Sequence, residues 1–281
     1  MAPRGLLAAL LILFCADFSS AQQRPLTTED PESVGAGRVL FEGGFSYAHD
    51  VDYTVSGLTG NLTSIPTLGV SVGVSSIAEV QIDGGFYNHL SITSAQPAPL
   101  SSLLTVTGDS THDVSDIVIG TKIRVVPEGT ARPSFGFRFA TKLPNARNET
   151  GLGLDTTDFY ASLLVAKKIE AVRIVGNIGS GILGDPTNGQ RQNDVLTYGF
   201  SIAGALTPWA ELVGEVNGRA NLRQDGPLPG SETRGLLTVG GRVTRGALRW
   251  DAAVFFGLTD IDPSFGFTTG LTYVFNAFTV P

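Results

Sequence analysis

The sequence predicts an all-β chain folded as an up-and-down antiparallel transmembrane β-barrel of about twelve strands. Three observations predict it. From Arg38 to Phe275 apolar and polar residues alternate with a period of two, and no window of helical length carries a 3.6-residue period. The connections between alternating segments switch regularly between short and long. The polar face of those segments carries charges that hydrocarbon would reject and a wet lumen accepts.

In chain order, residues 1–21 read as a signal peptide, with Arg4, an apolar run over residues 6–14, and Ser19-Ser20-Ala21 before Gln22 as a small-x-small cleavage site. Cys15 is preceded by Phe14, where a lipoprotein site needs a small residue. Residues 22–37, with Pro25, Pro31 and the acidic or hydroxyl-bearing Thr27, Thr28, Glu29, Asp30 and Glu32, read as an irregular periplasmic N-terminal extension. The barrel spans residues 38–276 and a tail 277–281. Segments of about 9 to 13 residues start near Arg38, Pro66, Glu79, Asp116, Pro133, Asp158, Val172, Asp194, Trp209, Arg234, Leu248 and Ser264. In the clearest, Leu68, Val70, Val72 and Val74 interleave with Thr67, Gly69, Ser71, Gly73 and Ser75. Short turns are expected at 75–78, 126–132, 168–171, 206–208 and 245–247. Long loops are expected at 49–65, 90–115, 144–157, 184–193 and 223–233, with a shorter one at 259–263. An even strand number puts both ends of the barrel at the short-turn, periplasmic side.

The composition agrees. With 19 Lys and Arg against 26 Asp and Glu the chain carries −7, which excludes a basic nucleic-acid binder. Charged residues make up 16%, against about 25% in an average soluble domain. One cysteine, inside the leader, excludes a disulfide framework. No apolar run of about 18 residues follows the leader, which argues against a membrane-spanning helix.

Size decides which face points out. A barrel of about twelve strands is too wide for side chains to fill, so an inward apolar face would leave a dry void, and the apolar face turns to lipid. The lumen face then carries Arg38, Glu42, Glu79, Gln81, Asp83, Lys122, Arg124, Arg138, Lys142, Arg173, Asn177, Glu211, Glu215, Arg219, Arg242, Arg249 and Asp251. Trp209, Trp250, Phe135, Tyr273 and Phe275 fall at the periplasmic interface as an aromatic girdle, and Phe45, Tyr47, Phe86, Phe159, Phe256, Phe265 and Phe267 gather toward the long loops. Two readings of the lumen charges stand. In one, cross-strand pairs, Glu79 with Arg124 and Glu211 with Arg242, lace a polar interior. In the other, Lys122, Arg124, Arg138 and Lys142 form a basic stripe opposed across the barrel by Glu211 and Glu215, and the resulting field selects ions.

Several stretches in order resemble one family. They are Asp116-Ile-Val-Ile-Gly120-Thr-Lys122-Ile-Arg124, Lys142-Leu-Pro144, Thr157-Asp158, Asn193-Asp194-Val-Leu-Thr-Tyr-Gly199, Leu206-Thr-Pro208-Trp209, Glu211-Leu-Val-Gly-Glu215, Gly257-Leu-Thr-Asp260 and Gly270-Leu-Thr-Tyr-Val-Phe275. From about Asp116 to Phe275 the chain resembles the Gram-negative outer-membrane barrels described as transporters of the phenol-degradation (MetA) pathway. The resemblance implies uptake of small, often aromatic or apolar compounds and carries over no catalytic residue. Asn145 departs from the Thr-Gly expected after Leu143-Pro144, and the first third of the chain lies outside the resemblance.

The reading is a monomeric outer-membrane channel for passive uptake of small molecules, with no cofactor. Its expected partners are outer-membrane lipid, lipopolysaccharide bridged by divalent cations to Asp155, Asp185, Asp260 and Asp262, the barrel-assembly machinery through the C-terminal strand, and a small-molecule solute. The alternatives are a non-conducting structural or binding barrel, an outer-membrane lipid-modifying enzyme using Ser91 with His89 or Ser46 with His49, and a soluble periplasmic β-sandwich. His49, His89 and His112 stand near Asp50, Asp52, Asp109 and Asp113 without the spacing of a metal motif, and no metal site is assigned.

Overall fold

The computed structural model describes residues 24–224 and 226–280. The expected signal peptide lies outside the described residues.

Among the described residues fourteen strands form: β1 (Arg38–Tyr53), β2 (Leu58–Gly73), β3 (Ala78–Gly85), β4 (Asn88–Ala95), β5 (Ser110–Asp113), β6 (Ile117–Val126), β7 (Ser134–Leu143), β8 (Asp158–Ile169), β9 (Val172–Gly184), β10 (Gln192–Thr207), β11 (Ala210–Asn221), β12 (Arg234–Arg245), β13 (Leu248–Gly257) and β14 (Phe265–Asn276). Twelve of them close an antiparallel barrel, with β3 pairing directly to β6 and β1 to β14 in register from Arg38↔Asn276 to His49↔Phe265. Closure leaves the barrel without a free edge, as lipid requires.

The other two strands branch from β2. Its lower part, from Thr67 to Gly73, pairs with β3, while Leu58 to Ser64 pairs with β4, which in turn carries β5. The expected long loop at 49–65 is therefore mostly strand: β1 and β2 run on and meet in a turn at residues 54–57. The 90–115 region likewise contains most of β4 and all of β5. These strand ends show no aliphatic stripe in sequence because they project beyond the apolar belt and answer to no lipid.

At the opposite rim the connections are tight, two residues each at 170–171, 208–209 and 246–247. Gly246 supplies the positive φ, +63°, that a two-residue hairpin turn calls for. Along the barrel one parity of side chains is exposed and apolar, with Ile119 and Ile123 on β6, Phe137 and Phe139 on β7, Ile178 and Ile182 on β9, and Phe267, Leu271 and Tyr273 on β14. The other parity turns inward, where Glu79, Lys122, Asp251 and Thr272 are fully buried.

The chain before β1 corrects one expectation. Residues 24–34 are irregular, as expected, but they lie inside the barrel. At the short-turn rim Gly35 and Gly37, at φ +94° and +71°, reverse the chain so that it drops out of the lumen and climbs again as β1. Val34 packs there against Leu40 of β1 and Val274 of β14, and the Gly37 carbonyl accepts the amides of Ala277 and Phe278 from the tail.

Depth sets the cost of a charge on the outer face. Ile178 is the seventh of thirteen residues in β9, whereas Val72 stands one residue from the end of β2. Ile178→Arg is expected to destabilise the barrel by about 2–4 kcal/mol and Val72→Arg by about 0–1, read from urea titrations in lipid vesicles. Equal costs at the two positions would contradict the outward facing.

Candidate functional site

The lumen holds the chemistry, and the N-terminal segment runs through it. Its contacts fall on the second residues of β3 and β9, the fourth of β13 and the sixth of β11, so it fills the half of the lumen nearer the short-turn rim. Arg24 reaches furthest. Its Nη1 donates to Thr67 Oγ1 at 3.1 Å and its Nη2 to Thr268 Oγ1 at 3.0 Å, while Nε stands 3.4 Å from Asp251 Oδ2. Gly270 makes room for it: a Cβ there would lie 2.5 Å from Arg24 Nε. Arg242 Nε donates to the Arg24 carbonyl at 2.8 Å.

The backbone of the segment is satisfied by wall side chains. Glu215 accepts the Thr27 amide at 2.7 Å, the Thr28 amide at 3.1 Å and the Thr27 hydroxyl at 2.5 Å. Asn177 accepts the Glu29 amide at 2.6 Å and donates to the Glu29 carbonyl at 2.8 Å. Glu79 accepts the Val34 amide at 2.6 Å.

Acidic side chains of the segment meet basic side chains of the wall. The Glu29 carboxylate sits between Lys122 Nζ, 3.3 Å away, and Arg138 Nε, 3.0 Å away. Asp30 takes Arg173 through both oxygens, each at 2.7 Å, and Glu32 pairs with Arg124. Bidentate guanidinium–carboxylate contacts of this kind are among the strong hydrogen bonds.

The residues expected on the lumen wall all lie on that face, with partners that differ in part from expectation. Glu79 stands in register with Lys122, two residues from the expected Arg124, and its Oε1 lies 3.0 Å from Lys122 Nζ. The shift follows from the tight turn before β3, where the Ile77 carbonyl already accepts the Arg124 amide. Glu211 and Arg242 are in register as expected, with Oε2 3.9 Å from Nη1, and Arg249 Nη2 approaches the same oxygen at 3.8 Å. Asp83 lies 3.7 Å from Arg138, and Lys142 bridges Asp116 at 3.3 Å and Asp158 at 2.8 Å. The basic stripe thus meets carboxylates beside it and from the segment, whereas Glu215, across the barrel, is engaged with the segment's amides. Sequence reading missed the segment itself. Its signal was present as Glu29, Asp30 and Glu32 in a stretch with no strand period, complementary to a basic stripe on β6 and β7.

Cavities lie on either side of the segment. One of about 320 Å³ opens below it among Leu26, Asp30, Arg173, Arg242 and Arg249. Another of about 430 Å³ lies above it among Arg24, Glu29, Glu42, Asp83 and Arg138. A third, of about 300 Å³, sits under the long loops with Tyr53, Lys142, Tyr160, Arg219 and Arg234 in its wall. The long loops meet over it. Ser56 donates to the Gly151 carbonyl at 2.9 Å, Thr54 to Glu232 at 3.0 Å, and the Val55 carbonyl accepts the Leu100 amide at 2.9 Å.

Loop carboxylates hold these connections in shape. Burial alone would raise the Asp113 carboxyl, but the Arg147 amide, the Thr150 hydroxyl and the Val114 amide hold it below the usual range. Asp185 is likewise pushed up by burial and pulled below the usual range by the Thr187 hydroxyl and amide and by Arg191. Asp262 accepts the Gly235 amide at 2.8 Å and the Thr259 hydroxyl at 2.7 Å. Asp185 and Asp262 are buried and engaged in their own loops, which leaves Asp155 and Asp260 as the exposed members of the acidic loop set.

His49 Nδ1 lies 2.7 Å from Asn61 Oδ1, and His89 stacks on Tyr87 with Nε2 3.5 Å from Ser91 Oγ. Among the described residues no carboxylate orients His89, whose Nδ1 is buried without a partner, and no three His, Cys, Asp or Glu side chains gather as a metal site.

No family model matches the chain, and no curated protein does. Solved structures similar to it include the translocator domain of the autotransporter NalP from Neisseria meningitidis, at 12% identity and TM-score 0.46 over 85% of this chain and 88% of that one. The toluene transporter TodX of Pseudomonas putida is similar at 11% identity and TM-score 0.41, over 89% and 92%. The toluene transporter TbuX of Ralstonia pickettii is similar at 11% identity and TM-score 0.43, over 89% and 92%. At such values none of the three carries an argument about what this lumen admits.

Two outcomes are expected. Lys122→Ala leaves Glu29 and Glu79 facing each other in a buried site and costs about 3–5 kcal/mol in urea unfolding of the folded barrel. For Asp113 and Asp185 the folded-state value lies below the unfolded one of about 3.9, so their contribution is complete above it and is lost as pH falls through the folded value. Amide signals of the loops at 144–157 and 185–191 should therefore lose their dispersion as pH is lowered through that value, and Asp185→Asn should open the second loop to thermolysin at pH 7, where the wild-type loop resists it.

Proposed function

We propose that the chain is an outer-membrane channel through which small molecules pass passively, entering at the long-loop rim and leaving at the short-turn rim. The observation that carries this reading is a polar, ion-paired lumen with cavities on both sides of a narrow peptide plug, inside a barrel whose outer face is apolar. Aromatic or apolar solutes are the class given by the resemblance to the phenol-degradation-pathway barrels, and the third cavity, with Tyr53, Tyr160, Leu152 and Leu154 in its wall, has the amphipathic lining such solutes favour. The uneven wall of Lys122, Arg124, Arg138 and Lys142 against Glu211, Glu215 and Arg242, with Glu79 and Asp83 beside the stripe, filters what passes. No chemistry is assigned to it.

A second reading has an observation of its own. The seated segment and the roof of loops favour a non-conducting barrel that binds or scaffolds. Single-channel recording after refolding into lipid bilayers, with a heat-modifiability gel to establish folding, separates the two. Discrete ion-selective openings support the channel, and a folded but silent barrel supports the scaffold.

In this orientation Trp209, Trp250, Phe135, Tyr273 and Phe275 form the periplasmic girdle, β14 is the strand offered to the assembly machinery, and Asp155 and Asp260 face lipopolysaccharide. Trp209 and Trp250 are the chain's two tryptophans, so their fluorescence reports the girdle alone. Quenchers placed near the lipid headgroups are expected to dim it more than quenchers at the bilayer centre. The reverse order would remove the girdle.

A further inference from the structure

The wall beneath the segment is built without it. Lys122 and Arg124 stand on β6, Arg138 on β7 and Arg173 on β9, each in a continuous ladder. Each also has a second partner there: Glu79 for Lys122, the Ser76 carbonyl for Arg124 at 3.0 Å, Gln81 for Arg138 at 2.7 Å, and Glu128 for Arg173 at 2.5 Å. The segment has no such ladder. What fastens it to these cations is three carboxylates, those of Glu29, Asp30 and Glu32.

Both ends of this row of ion pairs are open to a cavity while the segment is seated. Glu29 and Arg138 line the space above, and Asp30 and Arg173 line the space below. A solute arriving from either side meets a cation already holding a carboxylate and can exchange for it one contact at a time. Planar guanidinium groups recognise carboxylates through paired hydrogen bonds, and the Asp30–Arg173 contact shows that geometry on this wall.

We infer that Lys122, Arg124, Arg138 and Arg173 form a carboxylate-binding site on the lumen wall, that residues 24–34 occupy it as a tethered stand-in, and that small organic anions carrying two carboxylates displace the segment and bind in its place. This rests on the reading of the lumen as a solute route. A short tether presents its carboxylates at an effective concentration of order millimolar, so a competitor has to exceed that and gains from carrying two charges.

The test uses the full chain, folded in detergent, with Cys15→Ser and Thr28→Cys. Position 28 is buried against the wall while the segment is seated, so maleimide labelling reports its release. Glutarate at about 10 mM, above the tether's effective concentration, is expected to speed labelling several-fold. The neutral 1,5-pentanediol and potassium chloride at matched ionic strength are expected not to. Two further variants break the same ion pair from opposite sides. Glu32→Gln weakens the occupant, so basal labelling rises and the glutarate response moves to lower concentration. Arg124→Gln weakens the site, so basal labelling rises and the glutarate response is blunted. Equal acceleration by the salt or the diol, no acceleration by glutarate, or the same glutarate response in both variants would overturn the site. Heat modifiability verifies folding of each variant.

A lock separates this site from the channel reading. A Cβ at Gly199 would lie 3.4 Å from Thr28 Cβ, so Thr28→Cys with Gly199→Cys can be oxidised to a disulfide. The oxidised chain is expected to be silent in bilayers, and reductant with glutarate to restore current. A labelling response with no current in any state would keep the carboxylate site and discard the channel. Current that persists through the oxidised lock would overturn displacement of the segment as the opening step.

Discussion

Everything in this molecule follows from the two-sidedness of its strands. A residue and its neighbour in sequence point to opposite sides of the wall, so a barrel with lipid outside has a second face whose polar groups must find partners within a narrow tube. Lys122 shows how demanding this is. It is fully buried among strands, and two carboxylates, Glu79 from the adjoining strand and Glu29 from the N-terminal segment, make its charge tolerable. Desolvation of an ammonium without such partners costs several kcal/mol. The interior is therefore largely an electrostatic assembly, with an apolar cluster of Val34, Leu40 and Val274 at the rim.

The same constraint accounts for the segment. A chain entering a lumen loses water from its amides, and an irregular chain cannot repair this with its own ladder. The wall repairs it with Glu215, Asn177 and Glu79, side chains that take up the amides and carbonyls a strand partner would have taken. The loop roof uses the same means, with Asp113, Asp185 and Asp262 satisfying the amides of Arg147, Thr187 and Thr259 in turns that no sheet reaches.

Much of this was legible in sequence. The aliphatic stripe of a strand in lipid is a loud signal, and it located β6 through β14 to within two residues at their starts. The far ends of β1 and β2, and the strands β4 and β5, were silent because a strand with water on both sides has no apolar period. Among the site residues, Glu211 and Arg242 were paired correctly since both lie in uninterrupted hairpins. Glu79 was assigned Arg124 in place of Lys122 because a two-residue slip in a turn changes partners while keeping the face. Residues 24–34 illustrate the limit of pattern reading: their place depends on complementarity with strands far along the chain, and periodicity carries no record of that.

Their position also bears on the order in which the protein is made. Arg24 donates to Thr268 across 244 residues of sequence. The first described residues of the chain thus find part of their seat on the final strands, and the tube they enter exists only once β1 has met β14. Contacts of such long range are costly to form early. The N-terminal segment therefore docks late in assembly, after the seam has closed, and a chain halted before β13 and β14 would leave its leading end without a place to go.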